Sequence, residues 1–292
     1  MSQNTQQKSD HHLQKQSLEM PLTPFQYTRL SRGSKQRTTD LSELMGDEKI
    51  ADQTWLFVSP HDDDLCLGAG LLMQAAVVSG VDVQTLIVTD GCLGYCTMDQ
   101  REDIIDIRKQ ETFDSFRVLG INQDQVHYIN YPDGGLLKYQ GRRLAEKGEA
   151  NIEGYVGLQN AFTYHLRRFR PTRVFVPTHT DLHPDHRYTY SELMISLFHA
   201  SGAIWPELGA PLVEIPQVYE LAVYCDFSTA PNIEVMGNQE VFDRKLKSVE
   251  AYKSQLQIAA LVNSTRDAGP YEYLREINFK LYSPSNYRGL FE

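Results

Sequence analysis

The chain has 292 residues, with 38 Asp and Glu against 28 Lys and Arg, a formal charge of −10 and 41% hydrophobic residues. That composition excludes a largely disordered chain and leaves room for one large core, while the acidic balance argues against a general grip on nucleic acid or an anionic membrane. No apolar stretch reaches spanning length and the amino terminus has no apolar h-region, so no membrane insertion and a cytoplasmic location are expected.

Residues 1–50 read as a polar, partly flexible leader or arm, and residues 51–292 as a single catalytic domain. The first 24 residues are rich in Gln, Ser and Lys, and His11 and His12 there read as solvated. The sparse apolar residues from 24 to 52 suggest segments lying on the domain surface, with a one-turn helix starting at Asp40. At Trp55 a short apolar strand begins, and it breaks at Pro60 into His61, Asp62, Asp63 and Asp64. Unpaired buried charge costs several kcal/mol, so these four belong at the strand's exposed carboxyl end.

A helix over 65–79 follows, then a strand over 83–88 and an amphipathic helix over 98–120 stopped by Gly120. A third strand covers 126–130, ending in the turn Tyr131-Pro-Asp-Gly134. The glycine- and charge-rich insert 134–154 either covers a site or decorates the surface. A helix over 155–169 leads to a strand over 173–177, whose exit loop, Thr178 to His186, is the second polar cluster. A helix to about 200, strands over 218–224 and 233–236, a long helix over 239–258 and an aromatic, turn-rich tail from 270 complete the chain. Cys66, Cys92, Cys96 and Cys225 lack paired CxxC spacing and read as free thiols, with a Cys92–Cys96 pair as the alternative.

Strands alternating with helices imply an α/β, Rossmann-like fold: a mostly parallel sheet with helices on both faces. In the order 3-2-1-4-5 the first and fourth strands are neighbours at the switch point, and both polar clusters meet beyond their carboxyl ends. The convergent set is His61, Asp62, Asp63, Asp64, His179, Asp181, His183, Asp185 and His186. Nitrogen and carboxylate donors without paired thiolates suit one catalytic zinc per chain, and iron(II) or cobalt fits the same donors. The competing reading makes Asp64 and Asp185 simple helix caps.

Ser59-Pro-His-Asp-Asp-Asp-Leu-Cys-Leu-Gly-Ala-Gly70 and His183-Pro-Asp-His186 resemble the two signature motifs of the PIG-L/LmbE-like zinc-dependent N-deacetylases. Weaker similarities are Thr89-Asp-Gly91, Arg108-x-x-Glu111 with Leu119-Gly120, Tyr131-Pro-Asp-Gly134 and Lys253-Ser-Gln255. The resemblance implies that His61, Asp64 and His186 bind zinc and that Asp63 is the general base toward the zinc-bound water. It further implies that His183, held by Asp185, is the imidazolium that stabilises the oxyanion or protonates the leaving amine. Asp62 stands where the family often has Pro, and Leu65 where Glu is common.

Amide hydrolysis agrees with these donors, because zinc lowers the pKa of a water to about 7 and neighbouring carboxylates divide metal binding from proton transfer. Asp133 is either a contact to sugar hydroxyls or a turn residue, and Arg108 either faces the pocket or pairs with Glu111. Tyr95 and Trp205 are candidates for stacking on a sugar ring, and His179 and Asp181 either support the site or belong to the loop. The expected reaction is removal of an N-acetyl group from an N-acetylglucosamine-type sugar or glycoconjugate as small-molecule partner. The alternatives are a metal phosphoesterase, which would want a second ion bridged by Asp62 or Asp181, and a non-catalytic binding module; a homo-oligomer stays open.

Overall fold

The computed structural model describes residues 22–292. Strand β1 (Phe25–Ser31), β2 (Ser34–Thr38) and α1 (Leu41–Met45) precede the first βαβαβ run: β3 (Thr54–Ser59), α2 (Asp64–Val78), β4 (Asp82–Thr89), α3 (Ile104–Val118) and β5 (Val126–Tyr131). A two-stranded ribbon, β6 (Arg143–Leu144) with β7 (Tyr155–Val156), leads into α4 (Leu158–Phe169), β8 (Arg173–Pro177), α5 (Pro184–Ser201) and β9 (Gln217–Leu221). The chain continues through β10 (Ile233–Gly237), α6 (Gln239–Glu250), α7 (Ile258–Ala268) and β11 (Tyr271–Ile277).

β3 is apolar along its whole length because both of its faces are covered. Trp55 and Phe57 enter one core with Leu65 of α2, Phe116 of α3 and Leu246 of α6. Leu56 and Val58 enter the other, with Phe162 and Leu166 of α4 and Leu193 and Leu197 of α5. The parallel strands run β5-β4-β3-β8-β9, which is the 3-2-1-4-5 order expected from the sequence. β3 and β8 are paired in parallel with Phe57 opposite Phe175, so their exit loops leave the sheet side by side.

The sheet extends further than the alternating pattern foretold. Beyond β9 come β11, β10, β1 and β2, all antiparallel, so the parallel strands are flanked by an antiparallel wing. The wing is built from the stretch read as surface segments and from the tail. Phe25 and Tyr27 alternate into the core, whereas β2 has no apolar residue and closes the sheet as a polar edge strand. A domain boundary at residue 51 therefore cuts through the sheet, and residues 25–45 pack with the domain. The expectation of flexibility for residues 1–21, with His11 and His12, lies outside the described residues.

The expected helix 239–258 is interrupted after Glu250, and residues 251–257 form turns before α7. No helix among the described residues is long and apolar enough to cross a membrane.

Candidate active site

The loop between β3 and α2 holds its acids without spending them on helix capping. Asp63 is the N-cap of α2, yet its side chain makes no capping hydrogen bond. Asp64 is the first helical residue and its Oδ2 accepts the His61 N–H at 2.9 Å. At α5 the cap is His183, whose Nδ1 accepts the Asp185 backbone N–H at 3.3 Å, with Pro184 in the first turn. Neither Asp64 nor Asp185 caps its helix, so the simple-cap reading falls.

Three donor atoms meet at the centre. His61 Nδ1 lies 3.2 Å from His186 Nε2 and 3.4 Å from Asp64 Oδ2, and His186 Nε2 lies 3.3 Å from the same oxygen. Two imidazole nitrogens this close cannot both present bare lone pairs, so either a shared proton or a cation lies between them. Ligands held at about 2.0–2.1 Å from one tetrahedral ion lie ~3.3 Å from one another, which is the spacing of this triangle. The second Asp64 oxygen, Oδ1, is buried without a hydrogen-bond partner. Donor type, spacing and the orphaned oxygen all fit a divalent ion. His61, His183 and His186 also form a group of donor atoms within 4.8 Å of one another, as do His61, Asp133 and Asp185.

The outer ring nitrogens are held from behind. His61 Nε2 faces Asp133 Oδ1 at 3.2 Å and Asp185 Oδ2 at 3.7 Å, and His186 Nδ1 faces Asp181 Oδ2 at 3.2 Å. Such partners set the tautomer and direction of a ligating imidazole. Burial pulls the His186 imidazole down, but Asp64 and Asp181 outweigh it and raise its pKa to about 9. Burial likewise opposes charge on His61, and Asp64, Asp133 and Asp185 outweigh it and hold its pKa well above the usual value. For Asp64 burial acts upward, and His186 and His61 overcome it and hold the carboxyl far below its ordinary range. Asp63 and Asp62 go the other way. Burial and the adjacent carboxylates raise both, Asp62 to about 7.

His61, Asp62, Asp63, Asp133 and His183 line a cavity of about 510 Å³ with Leu93, Tyr95, Arg108 and Tyr224, large enough for one sugar unit. Several expectations change here. Asp185 holds the His183 ring through its backbone N–H and not through its carboxylate, whose Oδ2 accepts the Gly134 N–H at 2.8 Å, and burial with His61 and His186 lowers the His183 pKa instead of raising it. Asp133 and Arg108 both line the cavity, one of the two readings given for each; Asp133 also faces His61, and Arg108 pairs with Asp62 at 3.7 Å and donates to Gln255 at 3.2 Å while Glu111 accepts from Ser254. His179 leaves the convergent set, because its Nδ1 is bound to the buried Glu220 at 2.8 Å. Trp205 packs on Arg142 and His199 and does not line the cavity, whereas Tyr95 does. Of the insert, only Gly134 reaches the cavity.

Of the two readings left open for Asp181, support of the site is the one the structure shows, since it is the partner of His186. Gln255 was marked only by the Lys253-Ser-Gln255 similarity. Two contributors escaped the sequence reading: Tyr224, whose ring centroid is 5.4 Å from that of His186, and Tyr252 sit after elements with no motif that marks a site.

Residues 56–196 match the family model described as PIG-L: GlcNAc-PI de-N-acetylase. Diacetylchitobiose deacetylase of Thermococcus kodakarensis is 24% identical over 137 residues, which are 46% of this chain and 45% of that protein. The chain thus spans under half the length of this curated relative. Among solved structures, the N,N'-diacetylchitobiose deacetylase of Pyrococcus horikoshii has a TM-score of 0.61 at 19% identity, covering 87% of this chain and 99% of that one. GalB, the 4-carboxy-2-hydroxymuconate hydratase of Pseudomonas putida, has a TM-score of 0.59 at 16% identity, covering 79% and 98%. At these identities the likeness is one of fold.

Proposed function

We propose, from the PIG-L family domain that residues 56–196 carry, that this chain is a metal-dependent hydrolase removing the acetyl group from an N-acetylated sugar or glycoconjugate. The observation that carries the reading is the triangle of His61 Nδ1, Asp64 Oδ2 and His186 Nε2, beside an Asp63 carboxyl that no helix cap consumes. The sugar is taken from what the family model and the curated relative are described as acting on. His61, Asp64 and His186 would hold zinc, or iron(II) or cobalt. When bound, such an ion supplies Lewis acidity and makes a water acidic enough to act near pH 7.

The remaining chemistry belongs to the chain's own side chains. Asp63, whose pKa burial and Asp64 push upward, accepts a proton from the attacking water and returns it to the departing nitrogen. His183 acts as a neutral ring. Its Nδ1 is engaged with the Asp185 N–H, so the proton sits on Nε2, which donates to the carbonyl oxygen as charge builds there. This replaces the imidazolium expected from the sequence and leaves Asp63 as the proton donor to the amine. Asp133 and Asp185 fix the His61 ring, and Asp181 fixes His186. The Asp62 carboxyl faces Arg108 and the Asp181 carboxyl faces the outer nitrogen of His186, so neither offers a bridge to a second ion, which weighs against a two-metal phosphoesterase.

The test is acetate release from a panel of N-acetyl sugars, glycoconjugates and acetylated amines, before chelation, after it and after zinc is restored. The expected result is acetate and free amine in equal amounts, abolished by the chelator and recovered with zinc. A zinc-loaded chain that releases acetate from no member of the panel overturns the reading.

A further inference from the structure

Two motifs remain without a task in this chemistry, Arg108-x-x-Glu111 in α3 and Lys253-Ser-Gln255 after α6, and the fold joins them. Glu111 accepts two hydrogen bonds from Ser254, one from the backbone N–H and one from Oγ, each 2.7 Å. One helical turn earlier, Arg108 Nη1 donates to Gln255 Oε1 at 3.2 Å and lies 3.7 Å from Asp62 Oδ2. Tyr252, fully buried, donates from its hydroxyl to the Asp62 carbonyl at 2.5 Å. The break that ends α6 at Glu250 is what frees residues 252–255 to make these contacts.

The loop they touch needs holding. Asp62, Asp63 and Asp64 are consecutive buried carboxyls crowded into one turn, so each ionisation sets them against one another and their spacing depends on how firmly the backbone is tied. The Asp62 carbonyl sits one peptide bond before Asp63, and a tie at that point sets where the Asp63 carboxyl aims.

We propose that the turn 252–255 clamps the Asp62–Asp63 peptide, and that Glu111 is a positioning residue that acts through Ser254 to hold the clamp closed. The inference rests on the deacetylase reading for its kinetic consequence, not for its structural one. Glu111 does not line the cavity and so touches no substrate. A shift of about 1 Å in a catalytic group costs on the order of a hundredfold in rate, so loosening this distant peg is felt at Asp63.

The full chain, reconstituted with zinc, is compared with Tyr252→Phe, Glu111→Gln, Ser254→Ala and Ser254→Thr. Tyr252→Phe and Glu111→Gln are each expected to lower kcat about tenfold to a hundredfold, with KM within about twofold and zinc content unchanged. Amide hydrogen exchange over residues 61–67 accelerates in both, Ser254→Ala follows them, and Ser254→Thr, which keeps the hydroxyl, stays near the wild type. Variants that only melt earlier, with wild-type kcat and exchange, overturn the clamp, as does loss of activity that tracks loss of zinc. If the wild type itself releases no acetate, the parent reading falls, and exchange over 61–67 alone decides: unchanged rates in Tyr252→Phe and Glu111→Gln overturn the clamp too.

Discussion

Helix α2 carries two buried sets of charge, and they differ in one respect. At its middle, Glu272 accepts from Lys245 Nζ at 2.6 Å and from the backbone N–H groups of Leu71 and Leu72 at 2.7 and 2.9 Å. Gly70 makes the room, because a Cβ there would meet Lys245 Cγ at 3.1 Å. Both carboxylate oxygens are satisfied and the charge is matched, so this set is closed. At the amino end of the same helix, Asp62, Asp63 and Asp64 share Arg108 and two imidazoles, and Asp62 Oδ2 and Asp64 Oδ1 have no hydrogen-bond partner. A closed set holds the fold together. An unsatisfied one, kept in the interior at a cost of several kcal/mol, points to a cation or substrate that completes it.

The difference can be broken most severely at the unsatisfied set. Asp63→Asn is expected to keep its metal and lose about 10²–10⁴ in kcat, whereas His186→Ala loses the metal itself. Zinc content by atomic absorption beside acetate release checks both, and the reverse pattern would undo the division of roles between the two side chains. In the closed set, Lys245→Met strands the Glu272 carboxylate and should cost about 3–5 kcal/mol of stability in urea denaturation, with zinc per folded chain unchanged. Equal stability in that variant would mean that the pair is not what closes the helix face.

A third buried titratable group sharpens the contrast with the smallest effect. His165 has neither a charged partner nor a place in the site, and burial, helped by His127 and Arg168, lowers its pKa from 6.5 to about 3. The unfolded chain therefore takes up this proton before the folded one does. The stability contributed by the neutral ring is complete above about pH 6.5 and is lost as pH falls toward 3, about 2 kcal/mol of it by pH 5. His165→Phe should lose less stability than the wild type between pH 7 and pH 5 in parallel urea titrations, and identical slopes would remove His165 as the cause.

The parallel half of the fold was legible because its strands, covered on both faces, are continuous apolar runs, and because each ends in a distinct polar loop. His61, Asp64, His183 and His186 stood out there as residue types that a strand interior does not tolerate. The antiparallel wing was harder to see. β2, Ser-Lys-Gln-Arg-Thr, has no apolar residue at all, and its place comes only from pairing with β1. The orientation of Asp133 was equally hidden, since a Pro-Asp-Gly turn has the same sequence whether its carboxylate faces solvent, sugar or His61.

Residue order by itself determined which side chains could bind a cation and, given a Rossmann-like order, which parallel strands would be neighbours, since hydrophobic period and the right-handed crossover are local rules. Tertiary structure decided who holds whom: the Asp185 carboxylate on the Gly134 N–H, Asp181 on His186, Glu111 on Ser254, and a helix broken at Glu250 so that Tyr252 reaches Asp62. Those pairings join residues up to 190 positions apart, and a hydrogen bond of fixed length and direction depends on where the packed elements come to rest, which no local pattern records.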